Sequence, residues 1–244
     1  MKKITISVFI TFFTVFCATA YAVQPTPITA EQAFDSVVTQ TDPISGENTS
    51  VVLVDVRTRA EYFWVGAASK VDTIFTTYGD SFAPDNGKVL LTRSGLFLLF
   101  EINGKNIWLP VKKVSEIELS PIAINIPFKL WDEETATLFV NDNFAAEVEA
   151  LANSYDVIIT FCRSGGRSEA CLADFEPDLF DAFYEIDQPD GKSGRGGFEG
   201  TSYNNAYNGY RGFPQRFTEI KDHPSVSWKD AGLPIKTSVN PLAE

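Results

Sequence analysis

The chain has 244 residues, 20 basic and 32 acidic side chains, a formal net charge of −12 and 44% hydrophobic residues. An acidic surface of this size repels nucleic acid and anionic lipid and favours solubility. The single histidine, His223, excludes multi-histidine metal centres and leaves no obvious base for a serine–histidine hydrolase. The length allows one domain with insertions or two small ones.

In chain order, residues 1–22 read as a secretory signal peptide. Lys2 and Lys3 form the charged start, Ile4 to Phe16 the apolar core, and Ala20-Tyr21-Ala22 a small-residue cleavage site. The apolar run is too short to span a bilayer, so the expectation is an exported, periplasmic protein with no membrane span after cleavage. Residues 23–244 then retain two of the three cysteines, Cys162 and Cys171, too few for a disulfide framework.

Thr29-Ala30-Glu31-Gln32 spells a capping box opening a short amphipathic helix to about Thr39, with Ala33, Phe34 and Val37 inward. Val51 to Val56 is a continuous apolar run ending in Asp55 and Arg57, which predicts a central strand buried on both faces. Between about 66 and 121 the pattern changes to three strands, Lys88–Thr92, Leu96–Ile102 and Lys105–Val111. They are joined at Ser94-Gly95 and Asn103-Gly104, the latter a strong hairpin signal. The apolar run Leu96 to Phe100 requires cover from the body, a partner or its own layer.

Beyond this inserted meander, Pro127 to Thr137 reads as a loop and Asn143 to Ala152 as a helix. Val157 to Phe161 reads as a second buried strand, Glu169 to Phe175 as a helix stopped by Pro177, and Ala182 to Ile186 as the last parallel strand. A second insertion covers about 187–225. Its glycine-rich stretch 191–200 lacks the phosphate-loop pattern and reads as a loop. Its aromatics, Tyr203, Tyr207, Tyr210, Phe213 and Phe217, read as irregular surface packing or a lid.

The chemistry concentrates at Cys162-Arg163-Ser164-Gly165-Gly166-Arg167-Ser168. A cysteine at the carboxyl end of a buried strand sits where open α/β sheets place their sites. Gly165 and Gly166 let backbone N–H groups curl inward, and Arg163 and Arg167 add charge, surroundings that favour a thiolate over a thiol. Arg163, Ser164, Gly165, Gly166 and Arg167 are therefore the expected anion-binding residues around a nucleophilic Cys162.

This loop resembles the active-site loop of the single-domain rhodaneses, sulfurtransferases that carry sulfur as a cysteine persulfide. The likeness continues in Leu53-Val54-Asp55-Val56-Arg57 with Glu61-Tyr62, in Ala123-Ile124-Asn125-Ile126-Pro127, in Gly196-Gly197, and in Trp228 before Gly232-Leu233-Pro234. Four residues separate Cys162 from Arg167, as in the sulfurtransferases, whereas phosphatases of that fold carry five. The resemblance implies a rhodanese-like α/β domain over 23–244, with five mostly parallel strands flanked by helices and the β-insertion at 66–121. It also implies that Asp55 and Arg57 tie strand ends together behind the site. The expected activity is transfer of sulfur from a donor such as thiosulfate to a thiol or cyanide, without metal or organic cofactor. Expected partners are a small sulfur-containing anion or thiol and an exported protein. Two alternatives stand beside it: a non-catalytic binding or sulfur-carrier module, and a thiol–disulfide protein using Cys162 with Cys171.

Overall fold

The computed structural model describes residues 23–91, 94–163, 165–187, 197–198, 228, 231 and 233–237. The leader, Ser164, His223, Gly196, Gly232, the aromatic segment 203–217 and the glycine-rich stretch apart from Gly197 and Phe198 lie outside the described residues. The first half of the chain forms β1 (Thr26–Ile28), α1 (Ala30–Thr39), β2 (Val51–Asp55), α2 (Arg59–Val65), β3 (Ala67–Thr76), β4 (Ser81–Phe82), β5 (Val89–Leu91), β6 (Phe97–Ile102) and β7 (Lys105–Pro110). There follow β8 (Val114–Pro121), β9 (Ala123–Asn125), β10 (Lys129–Asp132), β11 (Thr137–Val140), α3 (Phe144–Leu151), β12 (Val157–Phe161), α4 (Gly166–Cys171), β13 (Ala182–Ile186) and β14 (Ile235–Lys236).

The β-branched and aromatic runs pair as a five-stranded sheet in the order β1-β13-β12-β2-β9, every pairing parallel. All five residues of β2 and all five of β12 are buried, which is why both read as unbroken apolar runs rather than alternating ones. Alternation along the strands still divides the core. Val51, Leu53, Val157, Ile159 and Phe161 face α1, with Ala33, Phe34, Phe198, Trp228 and Leu233. Val52, Val54 and Ile158 face Phe144 and Val148 of α3 and the stretch Leu172 to Phe180 after α4. Each such aliphatic or aromatic side chain removed from water contributes about 1.5–3 kcal/mol. The fold is thus α/β, with a parallel central sheet covered on both faces and additional antiparallel sheets.

Helix α1 carries the expected capping box. Thr29 Oγ1 accepts from the Gln32 N–H at 3.2 Å while Gln32 Oε1 accepts from the Thr29 N–H at 2.9 Å. Helix α2 carries a second capping box, Thr58 with Glu61, that the sequence reading passed over. Among the described residues no helix is long and apolar enough to cross a membrane.

The insertion holds the expected meander at β5-β6-β7, with Asn103 and Gly104 both at positive φ in the tight turn. It also holds a longer pair that was not expected, β3 against β8, antiparallel from Ser69↔Pro121 to Thr76↔Val114. Leu98 and Phe100 of β6 bury against Val71, Ile74, Val89 and Val114. The apolar run is therefore covered by the insertion's own layer, while Leu96 and Phe97 stay exposed.

Two expectations need correction. Pro127 to Thr137 is not a loop: β10 and β11 form an antiparallel hairpin from Lys129↔Val140 to Asp132↔Thr137. Its turn is held by Asp132, whose carboxylate accepts the Glu134 N–H and the Thr135 hydroxyl, and by Ala136 at φ 51°. The helix after the reactive loop begins at Gly166 rather than Glu169 and ends at Cys171, with turns carrying the chain on to Phe175.

Candidate functional site

Strand β12 lies at the centre of the sheet and ends at Phe161, paired with Asp55 of β2. The chain leaves β2 toward β9 at one edge and leaves β12 toward β13 on the other side. The carboxyl ends of β2 and β12 therefore flank the point where the winding reverses, the place at which open α/β sheets form their crevice. Cys162 emerges there.

Cys162 is 1% exposed. Its Sγ accepts the Gly165 N–H at 3.1 Å and the Arg167 N–H at 3.4 Å, and the Ser168 Oγ stands 3.9 Å away. The loop thus curls its backbone donors around the sulfur, as expected from its glycines. Gly165 has φ 107°, and a Cβ there would fall 2.6 Å from Oδ2 of Asp187. Both the conformation and the contact require glycine. Gly166 starts α4 with open space around it, and Arg163 is half-buried.

Arg167 contributes more than its backbone. Its Nη1 and Nη2 each donate at 2.7 Å to the two carboxylate oxygens of Glu61, a bidentate pair. Glu61 is fixed in turn by the α2 capping box: it accepts from the Thr58 N–H and hydroxyl, each at 3.0 Å, and its own N–H donates to Thr58 Oγ1. Burial, the largest single influence on Glu61, would raise its pKa. The hydrogen bonds and charge of Arg167, with the Thr58 contacts, outweigh it and hold Glu61 at about 2 instead of 4.5. Burial likewise opposes the charge on Arg167, yet its contacts with Glu61, then with Cys162, raise its pKa above the ordinary value. Arg167 thus holds Glu61 with its guanidinium and Cys162 Sγ with its backbone N–H.

Asp55 and Arg57 lie behind the loop, 0% and 1% exposed. Arg57 Nε and Nη2 clasp the Asp55 carboxylate, and Nη2 also donates to the Gly66 carbonyl at 2.7 Å. The guanidinium carbon lies 3.8 Å over the Phe198 ring, whose backbone N–H donates to the Cys162 carbonyl at 2.8 Å. Asn125 Nδ2 bridges the carbonyls of Asp55 and Arg57. These groups join the ends of β2, β9 and β12.

Two acids beside the loop, Glu185 and Asp187, escaped the sequence reading; Ser168 at the loop's end links to one of them. Ser168 donates from Oγ to the Gly165 carbonyl at 2.5 Å and lies 3.2 Å from Oε2 of Glu185. Glu185 and Asp187 are both 6% exposed. The signal for them was present: an acid inside the apolar strand Ala182–Ile186 and another just past it, beside the strand that carries the cysteine. Cys171 donates its thiol to the Ser168 carbonyl at 3.1 Å, and its pKa is raised well above 9.0, first by burial and then by Cys162 and Glu185. Both described cysteines are free. Among the described residues no cluster of three or more metal-ligating side chains occurs.

A comparison of this chain with protein-family models, curated proteins and solved structures finds no match.

Proposed function

We propose that the chain is an exported rhodanese-like sulfurtransferase in which Cys162 carries sulfur as a persulfide. The observation that carries this reading is the sulfur itself. Cys162 Sγ sits at the carboxyl end of the central parallel strand, inside backbone N–H groups of Gly165 and Arg167. Donors aimed at a site of negative charge stabilise it without reorganisation. In the first step the Cys162 thiolate attacks the outer sulfur of a sulfane donor. The new S–S bond forms as the donor's own bond to that sulfur breaks, and the remainder leaves with the electron pair. A thiolate or cyanide then attacks the outer sulfur, and Cys162 departs as thiolate. No cofactor is required for either step.

Cys171 fits a supporting place better than a redox partner, because a thiol whose ionisation is suppressed by burial is a poor nucleophile. The near-complete burial of Cys162 also favours a second reading, a module that holds a sulfur anion for another exported protein without turning it over.

The test is peptide mass spectrometry after exposure to thiosulfate or to the persulfide of 2-mercaptoethanol. A gain of one sulfur on Cys162, released by cyanide, is expected in the wild type and in Cys171→Ser, and not in Cys162→Ser. Loading without release supports the carrier module. No gain from either donor overturns the proposal.

A further inference from the structure

The contacts of Arg167 bear on which donors the site accepts. An arginine placed after two glycines reads as a group that receives a substrate oxyanion. Here each terminal nitrogen of the guanidinium gives an N–H to a carboxylate oxygen of Glu61, at 2.7 Å each, so one edge of the group is occupied and its charge compensated, and Glu61 is anchored by three contacts with Thr58. The pair is 20% and 25% exposed and so partly shielded from water. The backbone donors of Gly165 and Arg167 are turned to Sγ itself. On the other side of the loop two more carboxylates are buried, Asp187 against Gly165 and Glu185 beside Ser168.

A dianion such as thiosulfate arrives with oxygens that must exchange water for donors or positive charge, and desolvating them without such partners is costly. A persulfide borne on a thiol presents sulfur, which needs little from its surroundings. We propose that Glu61, by occupying one edge of the Arg167 guanidinium and compensating its charge, is a specificity-determining residue that selects thiol-borne persulfides over sulfur oxyanions as donors. This rests on the sulfur-transfer reading above. In the favoured reaction the Cys162 thiolate attacks the outer sulfur of R–S–S–H. The Sγ–S bond forms, the bond between the two donor sulfurs breaks, and RS⁻ leaves with the electron pair while the transferred sulfur keeps its proton.

The experiment compares rates of sulfur loading on Cys162, read at the peptide level, with two probes at equal concentration: thiosulfate and the persulfide of 2-mercaptoethanol. The full chain is used as wild type, as Glu61→Gln and as Glu61→Asp. Glutamine keeps the capping geometry and removes the charge; aspartate keeps the charge and shortens its reach. The wild type should load from the persulfide at least about tenfold faster than from thiosulfate, the scale of one charged hydrogen-bonding partner withheld. In both variants that preference should fall by about tenfold, through faster thiosulfate use. The ratio is the readout because any change in the thiolate population of Cys162 affects both donors alike. A wild type that loads equally fast from both donors overturns the proposal even if neither variant folds. A preference unchanged in folded variants also overturns it. Failure to load from either donor instead removes the sulfur-transfer reading itself.

Discussion

Glu61→Gln isolates the charge of one side chain, because glutamine serves the capping box as glutamate does. In the folded chain Glu61 ionises at about 2 rather than 4.5. At 1.36 kcal/mol per pH unit that difference corresponds to about 3 kcal/mol, a ceiling that partial solvent access to the pair lowers to ~1–2 kcal/mol. The sign follows from linkage. A carboxylate depressed by folding adds stability above its unfolded value of 4.5 and loses it as pH falls through about 2. Urea unfolding of wild type and Glu61→Gln, followed by circular dichroism from about pH 7 to about pH 3, should therefore give a difference of ~1–2 kcal/mol that is flat above ~pH 5. It should shrink steadily below 4.5. A difference that is constant over the whole range, or grows toward acid, would refute the reasoning, since a packing effect does not titrate.

Gly165→Ala should cost ~1–3 kcal/mol from the positive φ alone, and its Cβ must also displace the Asp187 carboxylate. Urea unfolding and sulfur loading should both deteriorate; an alanine variant as stable and as readily loaded as wild type contradicts the described loop. Phe100→Ala, in the insertion's own core, should cost ~3–5 kcal/mol in thermal or urea unfolding. Loading of Cys162 in the molecules that remain folded should be unchanged, because that cluster shares no residue with the two that enclose the central sheet. Slower loading would show that the insertion shapes the site.

Elements whose signal is local were legible in the sequence. Thr29 and Gln32 spell a cap within four residues, Val51 to Asp55 and Val157 to Phe161 are unbroken apolar runs, and Asn103-Gly104 names its own turn. The cap at Thr58 and Glu61 has the same spelling and is equally legible. Strands β3 and β8 were hidden because polar residues interrupt them and the pair carries register shifts near Val71 and Phe75, which break the alternation. The hairpin β10-β11 was hidden for a different reason. Leu138, Phe139 and Val140 are all exposed, so no inward face imposes a period on the sequence.

The partner of Arg167 could not be read locally, and it decides what the loop's charge is for. Glu61 is 106 residues away in sequence. The parallel register that sets Phe161 beside Asp55 brings them together, since each lies six residues beyond its paired strand end, in the helix that follows. Two neighbouring strands, each turning into a helix after a short loop, place the same offset at the same height. The register of β2 on β12 thus fixes both the position of Cys162 and the carboxylate that compensates its arginine. A one-residue slip in that register would turn every side chain of the strand to the opposite face and separate Glu61 from Arg167 in the same movement. The capping residue of α2 and the electrostatics of the cysteine loop are one structural decision, made when β12 pairs with β2.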